Sequence, residues 1–322
     1  MRSQRPAIAA GPTTFDVAEP VSHTIVVRGE EGLALHVVAW SPAPGSALTE
    51  PPFVLVHGLA SNARTWDGVA AELTRRGHAA FAIDLRGHGR SDKPSGGYDV
   101  ATVAEDVCRL LDSLARSFGI ERPVLAGQSW GGNVVLEAAA RCPDGVLAVV
   151  GVDGGTIHLA EDFPEWSRCA AVLAPPPIAG TPAVDFERWL RSAHPDWPES
   201  GIRGTLANME LRPDGTVAPW LTRDRHMAIL RGLWEHDPSA TYGRLSVPVL
   251  LVSARNDRDD HARAVSREHR VAAAVAAMPQ GMAIWFDGAD HDIHAQRPAE
   301  LATTLLDLAA DPSAGATSGA EA

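Results

Sequence analysis

The sequence predicts an α/β protein, a mostly parallel sheet with helices on both faces. Three observations carry this. Short apolar runs rich in β-branched residues alternate along the chain with helical patterns, the order expected of successive β-α units. The helical stretches show an apolar face at 3.6-residue spacing, as where Val103, Val107, Leu110, Leu111 and Leu114 fall on one side between Val100 and Phe118. Hydrophobic residues make up 45% and charged residues 21% of 322 residues, ordinary globular values for a chain able to bury a substantial core.

In chain order, the first twenty residues are polar and broken by prolines and are expected to fray. Strands are then expected at Thr24 to Val27, Leu33 to Trp40, Phe53 to Val56, Ala79 to Ile83, Val124 to Ala126, Val146 to Val152, Val247 to Val252 and Met282 to Phe286. The alternation lapses from about Thr156 to Leu245, where Trp166, Trp189, Trp197, Trp220 and Trp234 stand among prolines and charges. That stretch reads as a helical lid inserted in the sheet domain, most of its tryptophans being lid core. The expected division is a core over 21–155 and 246–311, a lid over 156–245, and a flexible Ala/Ser/Gly-rich tail over 312–322. No repeat of fixed period is visible.

A net charge of −12 leaves no basic stripe to release counterions, so nucleic acid and anionic membrane surfaces are not expected partners. The apolar stretch from Pro6 to Ala10 is too short for a signal-peptide core, and no apolar run reaches the roughly 18 residues of a membrane span. Cys108, Cys142 and Cys169 are odd in number and widely spaced, which indicates neither a disulfide framework nor a zinc site and fits a cytoplasmic protein. With no metal, nucleotide or flavin motif, no cofactor is expected, and the expected partner is a small-molecule substrate.

The chemistry-bearing motif is Gly127-Gln128-Ser129-Trp130-Gly131, which follows the apolar run Pro123 to Ala126 and precedes a helical pattern from Asn133. A G-x-S-x-G element between strand and helix makes a tight turn in which larger side chains would collide, and it pushes the serine hydroxyl outward beside a helix amino terminus. On these residues the chain resembles the α/β-hydrolase fold superfamily over roughly Val21 to Ala310. The resemblance implies an eight-stranded sheet and a serine, acid and histidine in that chain order, with Ser129 as nucleophile.

The family's general base lies on a late strand-to-helix loop, which points to His291 in Gly288-Ala289-Asp290-His291 ahead of Pro298, with His294 as the alternative. The family's acid follows the penultimate strand, matching Asp257 best. Asp153, after the strand ending at Val152, is the rival, because some members carry their acid there. The oxyanion donors implied by position are the amides of Leu59, in the His57-Gly58 turn, and Trp130. His57 is expected to be a buried histidine holding that loop, and Asp84 to Ser91 a hydrogen-bonded structural loop.

A serine rather than an aspartate at the elbow makes acyl transfer to water the expected reaction. The first reading is hydrolysis of a carboxylic ester or lactone of a small, largely apolar molecule. Carbon-carbon bond hydrolases, thioesterases and perhydrolases of the same fold are alternatives, and a non-catalytic ligand receptor is the alternative of another class.

Overall fold

A computed structural model describes residues 20–27, 32–42, 48–256 and 261–312. The terminal segments expected to fray lie, but for residues 20 and 312, outside these.

The chain opens with β1 (Val21–Val27), β2 (Leu33–Trp40) and β3 (Thr49–Val56), and a 3-10 turn over Ala63–Trp66 leads into α1 (Asp67–Arg75) and β4 (His78–Ile83). The units α2 (Val100–Phe118), β5 (Val124–Gln128), α3 (Trp130–Arg141) and β6 (Ala148–Val152) follow. An inserted region then holds α4 (Leu159–Asp162), α5 (Trp166–Leu173), β7 (Thr181–Pro182), α6 (Ala183–Ala193), α7 (Glu199–Leu206), β8 (Met209–Leu211), β9 (Thr216–Pro219), α8 (Arg223–Glu235) and α9 (Ser239–Tyr242). The sheet resumes with β10 (Val249–Arg255), α10 (His261–Ala277), β11 (Gly281–Asp287), α11 (Ile293–Gln296) and α12 (Pro298–Ala310).

Eight strands pair in the order β1-β2-β4-β3-β5-β6-β10-β11. β2 runs antiparallel to both β1 and β4, and every other neighbouring pair is parallel. Every residue of β4, β5 and β6 is buried, the mark of strands covered on both faces, and it explains why they read as continuous apolar runs. On one face Leu110, Leu114, Val134 and Leu136 pack from α2 and α3. On the other, Leu73 of α1 and Leu301 and Leu305 of α12 close over the sheet with Trp66. Each large apolar side chain so removed from water contributes about 2 kcal/mol. α2 begins at Asp99, whose carboxylate accepts from Thr102 N at 2.8 Å, and ends at Gly119 in the left-handed region (φ 67°).

Two expectations need correction. The insertion is not purely helical: β7, β9 and β8 form a three-stranded antiparallel sheet within it. These strands are only two to four residues long and two of them contain proline, so they leave no alternating period to read. The cysteines also differ from expectation. Cys108 on α2 and Cys142 just beyond α3 are joined in a disulfide, while Cys169 is a buried free thiol. Spacing along the chain could not show this, because it is the lateral packing of α2 on α3 that brings the two Cα atoms to 6.0 Å. Of the insertion's five tryptophans only Trp197 is buried. Trp189 is exposed, and Trp166, Trp220 and Trp234 are partly covered.

Candidate active site

β5 delivers Ser129 at its carboxyl end, and α3 begins at the next residue. Ser129 has φ 53° and ψ −124°, a conformation that costs a non-glycine residue on the order of 1–3 kcal/mol and persists only where its surroundings enforce it. They do so here. Ser129 N donates to Val152 O at 2.9 Å, and its carbonyl accepts from Gly132 N at 2.8 Å. Gly131 lets α3 press on the loop after β3, since a methyl group there would collide with the His57 carbonyl. A methyl on Gly58 would stand 3.0 Å from Ser129 Cβ. The His57-Gly58-Leu59 turn therefore lies against the elbow, and the Trp130 amide heads a helix whose first amides have no carbonyl partner within it.

His291 sits between β11 and α11, and its Nδ1 lies 2.6 Å from Asp153 Oδ2. Asp153 directly follows β6 at φ 40°. Its Oδ1 accepts from Ala254 N at 3.0 Å, and its own N–H donates to Val252 O at 2.7 Å. Gly154 brings this turn onto the elbow, because a methyl there would strike the Ser129 backbone. Asp257, the acid favoured from sequence, lies outside the described residues, and the carboxylate that meets His291 in the structure is the rival, Asp153. Position along the chain could not separate them: β6 and β10 are parallel neighbours, so the turns after both open on the same edge of the sheet.

The Asp153 side chain is 10% exposed and that of His291 is 53% exposed. The protein on its covered side desolvates the imidazole in part and pulls its pKa down. The hydrogen bond and charge of Asp153, with a smaller contribution from Asp292, outweigh this and hold His291 above the ordinary histidine value.

Several residues that sequence reasoning passed over tie these turns together. Gln128 Nε2 reaches the His291 carbonyl at 3.2 Å and Asp292 Oδ1 at 3.3 Å, joining elbow to histidine loop. Asn133 of α3, 1% exposed, donates to Ile157 O at 2.9 Å and accepts from Gly155 N at 3.0 Å, which suspends the Asp153 turn from the helix that follows Ser129. A lone asparagine among the valines of an apolar helix was the available signal, since a buried amide must find partners.

His57 is fully buried. Its Nε2 accepts from Leu85 N at 3.0 Å, so Nδ1 carries the hydrogen and donates to Gly58 O at 2.8 Å. Burial lowers its pKa against the opposing charge of Asp84, so it stays neutral and braces the turn. Asp84 accepts from Ala63 N and Arg90 N and pairs with His36 Nδ1 at 2.8 Å, the bonded loop that was expected. His294, the alternative base, is 1% exposed and packs at a tilt against Trp66 with ring centroids 4.6 Å apart. Burial pushes its pKa down to about 4.

A cavity of about 630 Å³ lies between residues 172–179 and 208–226 of the insertion and reaches the core at Ala60 and Ser61, directly after Leu59. Leu173, Ile178, Met209, Trp220 and Leu221 give it a mainly apolar wall, with His226 as a buried polar member and Arg212 and Arg223 also on its lining. No helix among the described residues is long and apolar enough to cross a membrane.

Sheet order, elbow and inserted region are those of an α/β hydrolase. A model of the alpha/beta hydrolase family matches residues 53–304, and the chain belongs to that family. It is 28% identical over 248 residues to 2-(acetamidomethylene)succinate hydrolase of Mesorhizobium japonicum, covering 77% of this chain and 84% of that protein. The crystal structure of E-2-(acetamidomethylene)succinate hydrolase superposes with TM-score 0.69 at 23% identity, over 90% of this chain and 98% of that one. An esterase of Mycobacterium tuberculosis superposes with TM-score 0.64 at 23% identity, over 90% and 92% of the two chains.

Proposed function

We propose that this protein is a serine hydrolase that cleaves an ester or lactone of a small, largely apolar molecule through an acyl-enzyme on Ser129, with His291 as base and Asp153 as the acid that orients it. The observation that carries the reading is the 2.6 Å pairing of His291 Nδ1 with Asp153, in a turn packed on the Ser129 backbone. With Nδ1 bonded to the carboxylate, Nε2 is the nitrogen left to take the serine proton.

Ser129 Oγ attacks the substrate carbonyl as Nε2 accepts its proton. The tetrahedral oxyanion is held by the amides of Leu59 and Trp130, donors that need not reorganise and that are worth about 3 kcal/mol each. The imidazolium, stabilised by Asp153, then protonates the leaving group. A water activated by the same Nε2 releases the acid and restores Ser129. The apolar cavity beside Ala60 and Ser61 supports an apolar acyl or alcohol portion.

A second reading has its own support. The Mesorhizobium relative is named for a substrate bearing two carboxylates, and Arg212 and Arg223 line the cavity here, so a carboxylated substrate, cleaved at a bond other than an ester, is the alternative.

The test is to treat the purified protein with a fluorophosphonate probe and short p-nitrophenyl esters, beside Ser129→Ala and His291→Ala. Labelling and turnover in the wild type are expected to vanish in the serine variant, with kcat down about 10⁶-fold. Labelling of Ser129→Ala at the wild-type rate defeats the assignment. Labelling without ester turnover, joined to turnover of carboxylated amides, favours the second reading.

A further inference from the structure

We propose that residues 194–208 of the insertion form a fixed clamp across the site rather than part of a moving lid, and that Trp197 is a positioning residue for His291. The role of His291 in this rests on the serine-hydrolase reading; the clamp itself is a matter of packing.

On one side the segment grips the loop that carries His291. Trp197, 9% exposed, donates its indole N–H to Asp290 Oδ2 at 3.3 Å, and the His194 ring packs against it at a tilt with centroids 3.9 Å apart. Gln296 Nε2 donates to Asp196 Oδ2 at 2.6 Å, while Gln296 Oε1 accepts from Asp290 N at 2.7 Å. Asn256, at the end of β10, donates to the other Asp290 oxygen at 3.1 Å. Both the amide and the side chain of Asp290 are thereby held, and Asp290 is the residue from whose peptide His291 projects. Leu190, Trp197, Ile202 and Ala295 make a small apolar cluster of their own around these bonds.

On the other side it grips the turn that carries Leu59. Asn62 Nδ2 donates to Gly204 O at 2.9 Å and to the Asn208 side chain, while its Oδ1 accepts from Arg64 N at 2.7 Å. Gly201 and Gly204, three apart on one face of α7, let the helix rest on bare backbone. A methyl at Gly204 would stand 2.7 Å from Thr65 Cα, and one at Gly201 would stand 2.6 Å from the Ala295 carbonyl. α7 is thus wedged between the segment after Leu59 and the one after His291, so the distance between oxyanion donors and base is set partly from outside the sheet. A lid that opens for substrate could not include α7 without undoing both turns.

Trp197→Phe removes the indole N–H together with its five-membered ring and keeps a smaller aromatic side chain in the apolar cluster. Gln296→Leu removes the two amide bonds independently and stands in if the first variant does not fold. In each, kcat for p-nitrophenyl butyrate is expected to fall about tenfold at nearly constant KM, since misplacing a reacting group costs rate rather than binding. Amide hydrogen exchange across 287–297 is expected to quicken while that of β5 and β6 does not change. Unchanged exchange in both variants, or a rise in KM alone, overturns the clamp. If the wild type hydrolyses no ester, the functional reading fails, and the exchange data still decide the clamp.

Discussion

The two halves of the insertion meet the core in opposite ways. Residues 194–208 touch it backbone to backbone, through two glycines and a set of side-chain hydrogen bonds. Residues 172–179, with three successive prolines and an exposed Val172, face residues 208–226 of the insertion across a cavity that meets the core only at Ala60, Ser61 and Gly89. Close contact fixes geometry and an open apolar space admits a ligand, so on the proposed reading one segment sets how Ser129 and His291 stand and the other shapes what reaches them.

After the loss of Ser129 itself, the largest effect is expected beneath both segments. Asp153→Asn keeps the shape of the turn but loses the charge that fixes the imidazole, and kcat is expected to fall about 10⁴-fold. Asp257→Asn is expected to leave kcat near the wild-type value; the reverse pair of results in steady-state assays reassigns the acid. On the proposed mechanism neutral imidazole is the active form, so kcat/KM is expected to rise with pH through the His291 pKa. Because that pKa is raised, the acid limb is expected to have its midpoint above 6.5, and a pH–rate profile with a lower midpoint breaks the pairing argument.

Next comes stability on the clamp side, where His294 lies in the α11 turn held by α7. Its folded-state pKa of about 4 is below the unfolded value, so the unfolded chain takes up the proton first and stability falls as pH drops from about 6.5 towards 4. That window is expected to cost about 3 kcal/mol in urea titrations, and His294→Leu is expected to flatten it. On the cavity side, Ile178→Ala is expected to raise KM for apolar esters about tenfold with kcat kept, the worth of a few methylenes in a pocket. Smallest of all, Val184→Ser on the exposed side of α6 is expected to change neither rate nor stability by more than about 0.5 kcal/mol. A large effect there would mean that the outer face of the insertion is part of the working surface.

The sheet was legible in the sequence because its strands are buried on both faces and its helices are amphipathic, so all eight strand positions appear near where the apolar runs place them. Ser129 was legible because a strained turn between strand and helix demands glycines at fixed offsets. Asp153 was not separable from Asp257, since the choice depends on which of two adjacent strand ends curls towards the base, and no local pattern records that. The small antiparallel sheet of the insertion and the Cys108–Cys142 bond escaped for a related reason: each is made by elements distant in sequence meeting side by side. Trp197 looked like one aromatic among five, and its burial and its contact with Asp290 set it apart.

The turn bearing Asp153 is tied to the helix bearing Ser129 by a bond spanning 22 residues, Asn133 to Gly155, whereas the contact of Asp153 with His291 spans 138. Closing the longer loop costs about 1.5 kcal/mol more chain entropy, and it must wait for the whole insertion to be made and placed. During refolding the β5-α3-β6 unit is therefore expected to bring Ser129 and Asp153 together early, while His291 arrives with the last strand. On the proposed mechanism, recovery of activity is expected to trail recovery of helical signal, because His291 completes the group last.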